Sequence, residues 1–347
     1  MIYAPIIIPT MCRSDHFICL IESLKRNTWA CHTDVYVAVD YPPSEKYKKG
    51  WLEICKYLNH SDFSVFKKFV VFKRDCNFGA EKNNNDLVHY VQEHYDRWIR
   101  TDDDCEFSKI FLEYMDKCLF EYENDENIFA VTGYSYPLSW NVNNGATCFM
   151  QNFNVAMWGT GFWKKKRAQA ERFICSEKML NKAKDCVKKK SYARMLDACL
   201  IEYIRAAVAV HKPFLMTRMT DVALRAYLAI ENKYCVSPVI SKVRNHGFDG
   251  SGCFCESISE ADNRICAQKY DYGKQIIDEQ ETFELFLDNE VERLNENRKK
   301  LNSFDSRPQK EVLYVRRLVW LIDHFGLHCA KAYHYVCTLY RRLRKRL

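Results

Sequence analysis

The sequence predicts an α/β fold, a mostly parallel sheet flanked by helices, with a helical and basic C-terminal extension. Three observations predict it. Short apolar runs alternate with segments of helical periodicity from Tyr3 to Thr132. The runs end in polar or turn-forming stretches at Pro9–Arg13, Asp40–Pro43, Cys76–Gly79 and Asp102–Asp104. From about Asp271 the chain becomes uniformly charged and helix-like.

Tyr3–Ile8 is a short apolar run of the kind that forms a strand buried on both faces. Ser14 is a candidate N-cap for a helix whose apolar face is Phe17, Leu20, Ile21 and Leu24. Asp34–Asp40 reads as the second strand and Ser44–Leu58 as the second helix. Ser64–Phe72 is the third strand, and Ala80–His94 a helix with Leu87, Val91 and Tyr95 in phase. Arg97–Thr101 is a short fourth strand that runs into the acidic triplet. Phe107–Tyr122 reads as a helix and Ile128–Thr132 as a further strand. A βαβ alternation implies a parallel sheet with helices on both faces, and ligands of such sheets sit beyond the carboxyl ends of the strands. The four polar stretches should therefore converge on one edge.

The middle, Gly159–His211, reads as helical and basic, with KKKR at Lys164–Arg167 and KKK at Lys188–Lys190. A solvated helix face explains such runs without a partner. A helix near Thr220–Asn232, a strand-like Tyr234–Ile240 and a glycine-containing loop over Arg244–Gly252 follow. The domain boundary is expected at 270. Residues 1–105 would form one half of the first domain, 106–270 the other, and 271–347 the extension.

The 347 residues are 48% hydrophobic and 28% charged, which excludes a disordered chain and allows one large core. No run of about eighteen apolar residues is present, so no membrane span is expected. Met1–Thr10 lacks a basic start and is broken by Pro5 and Pro9, unlike a secretory signal. The seventeen cysteines are scattered and odd in number, which points to free, mostly buried thiols in a reducing cytoplasm. No CxxC pair exists, and Cys253 and Cys255 have no matching second pair, so the cysteine spacing does not suggest zinc.

Asp102, Asp103 and Asp104 carry the chemistry. Three adjacent carboxylates repel one another unless a cation or bound partner neutralises them. Hard carboxylate oxygens suit Mg²⁺ or Mn²⁺, and alternate residues of an extended segment face one way, so Asp102 and Asp104 can reach one ion. Such an ion stabilises a nucleotide diphosphate as a leaving group. The plainer alternatives are an exposed acidic turn, or an N-cap at Asp104 for the helix that follows.

Six segments in order resemble a GT-A glycosyltransferase, a Rossmann-like fold. They are PIIIPTMCRSDHF, VAVDYPP, NFGAEKNN, RTDDDCEF, WGTGFW at Trp158 and TDVALRAYL at Asp221. The likeness covers roughly residues 1–255. It is nearest to the family 2 inverting bacterial transferases and the β-1,2-N-acetylglucosaminyltransferases. The latter rests on the triplet followed by FSKIFLEYMD, the Gly159 segment, and CVSPVIS with the glycines after it.

The resemblance implies roles. Pro9, Thr10 and Arg13 would line the nucleotide pocket. Asp40 would contact the base or ribose, with a strand-end turn as its other reading. Asn77 and Gly79 would form the loop that lets the backbone approach the nucleotide, or a plain turn. Asp102 and Asp104 would be the D-x-D pair, with Asp104 the direct metal ligand and Asp103 beside the donor sugar. Trp158, Gly159 and Gly161 would wall the donor–acceptor junction, and a core tryptophan is the alternative. Asp221 would be the catalytic base, kept ionised by a helix start, or only that helix's N-cap. Family 2 enzymes often carry Glu-Asp where this chain has Thr220-Asp221. His246 would complete the metal site, and Gly247, Gly250 and Gly252 would suit a lid.

The implied activity is an inverting transfer from a nucleotide-diphosphate sugar, UDP-linked by family likeness, with Mn²⁺ or Mg²⁺, to a glycan or lipid-linked acceptor. The transferred group would be a hexosyl or N-acetylhexosaminyl unit. The net charge is +7 and the chain ends in Arg341, Arg342, Arg344, Lys345 and Arg346. Each such residue near an anionic bilayer contributes roughly 1 kcal/mol. The expected location is therefore cytoplasmic, peripheral at the inner face of the membrane, although a solvated helix end explains the same residues. A non-catalytic basic membrane- or nucleic-acid-binding protein and a nucleotidyltransferase are the alternatives. No RNP-like or KH-like motif favours nucleic acid, and PTMCRSDHF lacks the glycine a nucleotidyltransferase loop wants.

Overall fold

The computed structural model describes residues 2–189, 198–210, 220–252, 277–304 and 311–344. The expected class holds: a mostly parallel sheet flanked by helices, followed by C-terminal helices. The strands begin with β1 (Ile6–Thr10), β2 (Asp34–Val39), β3 (Lys68–Lys73) and β4 (Arg97–Arg100). β5 (Cys105–Phe107), β6 (Ile128–Thr132), β7 (Cys148–Gln151) and β8 (Thr160–Trp163) follow. β9 (Tyr234–Pro238), β10 (Val243–Asn245) and β11 (Leu287–Asp288) complete them. The main sheet runs β11-β7-β9-β6-β8-β4-β1-β2-β3, and β5 pairs separately with β10.

β1 to β4 are mutually parallel, with β1 at the centre of that half. Ile6, Ile7 and Ile8 are wholly buried, as a strand covered on both faces requires. Pro9 has no N–H to give a ladder. It lies past the last β1–β4 pair, Ile7 with Arg100, where that side of the ladder has ended. The helices α1 (Ser14–Lys25), α2 (Lys48–His60) and α3 (Ala80–His94) connect these strands. Phe17, Leu20, Ile21 and Leu24 of α1 are fully buried, each worth about 1.5–3 kcal/mol against exposure. Ser14 is not the cap: Arg13 holds that position, and the Ser14 hydroxyl donates to Glu53 at 2.7 Å.

Two segments differ from expectation. The helix expected from Phe107 starts at Phe111 as α4 (Phe111–Glu121), because Cys105–Phe107 is taken into an antiparallel ladder with β10. Asp104 therefore caps no helix. The WGTGFW segment, expected at the head of a helical region, supplies β8, which runs antiparallel between β4 and β6. Gly161 lies close beneath Leu119 of α4: a Cβ there would meet Leu119 Cδ1 at 3.0 Å.

The chain forms two compact units, and the expected boundary at 270 lies outside the described residues. One comprises 1–151, 155–167 and 234–294. The other comprises 152–154, 168–233 and 295–347. After α5 (Lys164–Ile174), α6 (Glu177–Lys188), α7 (Ala198–Val210) and α8 (Thr220–Glu231) of the second unit accompany a helical stretch over Val312–Arg344. That stretch breaks at Gly326, whose φ of +79° only glycine adopts readily. Val208, Leu318 and Ala330 form a buried cluster there, flanked by Tyr314, Leu321, Ile322, Leu327 and Tyr333. No helix among the described residues is long and apolar enough to cross a membrane. Cys105, Cys118, Cys148 and Cys235 are buried, whereas Cys31, Cys76, Cys175 and Cys329 are exposed, so the described thiols are not mostly buried. Cys253 and Cys255 lie outside the described residues, as do Lys190 and the final Lys345–Leu347.

Candidate functional site

The site begins where β1 and β4 end side by side. After Arg100 the chain leaves the sheet, turns through Asp103 and Asp104, and enters β5. The Thr10 hydroxyl donates to Asp103 Oδ2 at 2.7 Å. Arg13, at the head of α1, spans two carboxylates: Nη1 lies 2.7 Å from Asp104 Oδ2, and Nη2 pairs with Asp103 Oδ1. Burial works against the Arg13 charge, yet Asp103 and Asp104 outweigh it and raise its pKa. Asp102 turns the other way, to Arg100 Nη1 at 2.6 Å. Burial pushes the Asp102 carboxyl up from its ordinary value; Arg100 opposes the shift and Asp104 adds to it.

The loop after β10 closes the far side of the triplet. The β5–β10 register sets Asn245 opposite Cys105. Asn245 Nδ2 then donates to Asp104 Oδ1 at 3.0 Å, and the His246 amide donates to the Asp104 carbonyl at 2.7 Å. Gly247 packs directly on Asp104; a Cβ there would overlap Asp104 Oδ2. The His246 imidazole meets Glu106: its Nε2 is 2.9 Å from Glu106 Oε2.

Asp40, at the end of β2, meets Asn77 and Gly79 as the topology anticipated. Asp40 Oδ1 accepts from the amides of Tyr41 (2.9 Å) and Phe78 (2.7 Å). Oδ2 accepts from the Gly79 amide at 2.8 Å and Asn77 Nδ2 at 3.2 Å. The carboxylate is thus the clamp of the 77–79 loop. Gly79 has φ +77° and stands just ahead of α3. Trp158 is half-buried, with its ring edge-on to Tyr134 at 4.8 Å and Phe248 at 5.9 Å. Gly159 has φ +63°, and a Cβ there would meet the Phe111 ring at 2.8 Å.

Asp221 belongs to the second unit, in the first turn of α8, with its side chain half exposed. Arg225 Nη2 is 3.9 Å from it and 2.9 Å from Glu202 Oε2. Thr10, Arg13, Asp103 and Asp104 are therefore brought together, Pro9 precedes Thr10 in β1, Asp102 pairs with Arg100, and Asp40, whose amide donates to the Thr10 carbonyl at 2.9 Å, holds Asn77 and Gly79. Sequence reasoning missed Arg100 and Asn245. Arg100 was inside the quoted RTDDD motif, where its charge beside three aspartates was the available signal. It also donates to the Met157 carbonyl at 2.9 Å.

No family model and no curated protein matches the sequence. Solved structures give partial likenesses. S. aureus TarS 1–349 matches at 14% identity and TM-score 0.33, covering 50% of this chain and 49% of that one. The same protein in complex with UDP-GlcNAc matches at 19% and TM-score 0.29, covering 40% and 37%. The mannosyltransferase PcManGT from Pyrobaculum calidifontis, in complex with GDP-Man and Mn²⁺, matches at 13% and TM-score 0.35, covering 66% and 70%. The chain thus spans about half the length of the TarS 1–349 chain. The fold described above rests on this chain's own strand order and register.

Proposed function

We propose that this chain is a divalent-metal-dependent glycosyltransferase of the GT-A kind. It would move a hexosyl or N-acetylhexosaminyl group from a nucleotide-diphosphate sugar, preferably UDP-linked, to a glycan or lipid-linked acceptor with inversion. The observation that supports this reading is the meeting of Asp103 and Asp104 with Thr10 and Arg13 at the carboxyl edge of the parallel strands, with Asp102 beside them on Arg100. Edges of this kind bind phosphate-bearing ligands.

A hard divalent cation fits the donor set. Three carboxylates face two guanidiniums, Arg13 and Arg100, which leaves one negative charge for a cation to neutralise. Asp102 and Asp104 would hold the ion, with Mn²⁺ or Mg²⁺ neutralising the leaving diphosphate. The His246 side chain pairs with Glu106, while its amide donates to the Asp104 carbonyl. Thr10 and Arg13 orient Asp103 and Asp104. Asp40 fixes the 77–79 loop so that backbone, not side chain, faces the nucleotide. Trp158 offers an aromatic ring for the apolar face of a sugar. Asp221 is the proposed base for the acceptor hydroxyl; its support is the sequence resemblance together with its place in the first turn of a helix.

The reading has a direct test. The protein is incubated with a panel of nucleotide sugars and Mn²⁺, and nucleotide release is measured. Asp104→Ala is expected to lose donor binding, and Asp221→Asn to keep binding and lose turnover. Wild-type behaviour in both variants would sink the proposal.

The basic C-terminus fits peripheral attachment to an anionic membrane. The helix after Gly326 buries Ala330, yet it also leaves Tyr335, Val336, Leu339, Tyr340 and Leu343 exposed. Those positions follow helical spacing on one face, and in the sequence they adjoin the basic run Arg341–Arg346. Removing the last eight residues should abolish flotation with anionic liposomes. Undiminished flotation would discard this part of the reading.

A further inference from the structure

Beside the acidic triplet, three chemically different donors converge from three separate segments. Cys19 lies on α1, Glu106 in the middle of β5, and His246 just after β10. Their ligand atoms all lie within 4.8 Å of one another, and each residue is half-buried. His246 Nε2 is already 2.9 Å from Glu106 Oε2. An ion pair alone would need only those two. The thiol completes a set that carboxylate pairing does not explain.

We propose that Cys19, Glu106 and His246 form a binding site for a transition-metal ion of the zinc class, distinct from the Asp102–Asp104 pair. The thiolate and the imidazole are the soft and borderline donors that select Zn²⁺ or Co²⁺ over Mg²⁺ and Mn²⁺, and zinc accepts a carboxylate beside them. Three protein ligands leave a fourth tetrahedral position open to water or to a neighbour. Binding releases the thiol proton to solvent as the metal–sulfur bond forms. Contraction of the three donors to metal–ligand distances of roughly 2.0–2.3 Å needs only side-chain movement.

The surroundings set the competition. Arg244 Nη1 lies 3.7 Å from Glu106 Oε2 and is the cation the metal must displace or tolerate. His16 stacks near His246, ring centroids 6.5 Å apart, and its Nε2 is 2.9 Å from Asp249. The site also has a mechanical consequence. The His246 amide bonds the Asp104 carbonyl, and Gly247 packs on the Asp104 carboxylate. A metal tying His246 to α1 and β5 would therefore fix the 244–252 loop against the triplet. This inference does not depend on the glycosyltransferase reading. The cysteine spacing in the sequence could not reveal it, because the ligands come from three distant segments.

The test uses the full chain and Co²⁺ alone. The wild type should show a thiolate-to-cobalt charge-transfer band equivalent to one bound ion more than Cys19→Ser shows. His246→Gln should lose the same band, while Asp104→Asn keeps it. In parallel, Zn²⁺ should slow alkylation of Cys19, followed by mass spectrometry, at least about tenfold in the wild type, the loss of reactivity expected when the thiolate is held by metal. The alkylation arm needs no cysteine variant, so it decides the matter even if Cys19→Ser folds poorly. Equal cobalt bands in all variants, or a Cys19 alkylation rate unchanged by Zn²⁺, would overturn the proposal. Failure of the donor-panel assay with a preserved cobalt band would leave this site standing and the transferase reading fallen.

Discussion

Arg13 Nη1 lies 2.7 Å from Asp104 Oδ2, so a residue that follows β1 is tied directly to one that follows β4. The same guanidinium also pairs with Asp103. One cation therefore holds two of the three carboxylates in place. Arg13→Ala leaves the triplet with Arg100 alone. The expected cost is about 1–3 kcal/mol, below that of a fully buried pair because Arg13 keeps some contact with water. Thermal unfolding with and without Mn²⁺ checks it. The Mn²⁺-induced rise in Tm should be larger in Arg13→Ala than in the wild type, because the ion then relieves more repulsion. Equal rises would mean that Arg13 and the ion do not act on the same carboxylates.

Gly247 is required by space. Its missing Cβ would overlap Asp104 Oδ2, whereas the nearest neighbour to a Cβ at Gly252 is Arg13 Nη1 at 3.6 Å, an ordinary contact. Gly247→Ala should destabilise by about 1–3 kcal/mol, the range for overpacking. Gly252→Ala should be nearly neutral. Chemical denaturation of the two variants separates a specific requirement at 247 from general glycine flexibility in the loop.

Much of this geometry was legible in the sequence because it follows from topology. Parallel strand order alone places Thr10, Asp40, Gly79 and the triplet at one edge, and Ala80–His94 is helical over the expected residues. What was not legible is long-range. The β5–β10 ladder takes Phe107 out of the expected helix, and only pairing with a distant segment sets that choice. The same ladder delivers Asn245 to Asp104. For β8, the alternation in Thr160–Trp163 is too short to be told from a buried helix start without its neighbours β4 and β6. The pairing of His246 with Glu106 likewise depends on register, since a shift of one residue turns Glu106 to the other face.

Asp40 illustrates a residue whose chemistry is spent inside the chain. Its two oxygens accept from three backbone amides and Asn77. Asp40→Ala should cost about 1–2 kcal/mol, since half-buried donors lose a charged acceptor. Hydrogen exchange at Phe78 and Gly79 should accelerate in the variant while exchange within β1 does not. Unchanged exchange at those two amides would contradict the clamp.

Asp116 supplies a pH dependence. It is fully buried, its Oδ1 accepts the Ala4 amide at 2.8 Å, and its Oδ2 has no hydrogen-bond partner. Burial pushes its pKa up to about 7, against the opposing Ala4 amide and Arg97. The folded value lies above the unfolded value of about 3.9, so the folded state binds the proton more tightly. The contribution of Asp116 is therefore fully present below about pH 4 and is lost as pH rises toward 7. Asp116→Asn keeps the acceptor and removes the titration. Between about pH 4 and pH 8, the wild type should lose about 1–3 kcal/mol relative to the variant. Parallel stability curves would show that Asp116 is ionised in the folded protein throughout.

The central claim is that the Asp102–Asp104 turn holds a divalent ion for a nucleotide-sugar donor. Isothermal titration of UDP-sugars into the wild type, Asp102→Ala and Asp104→Ala, each with Mn²⁺ and with EDTA, tests it most directly. The account predicts donor binding by the wild type in Mn²⁺ only, and a loss of at least about tenfold in affinity, roughly 1.4 kcal/mol, in Asp104→Ala. Binding that is equally strong in EDTA, or unchanged in both variants, would contradict it.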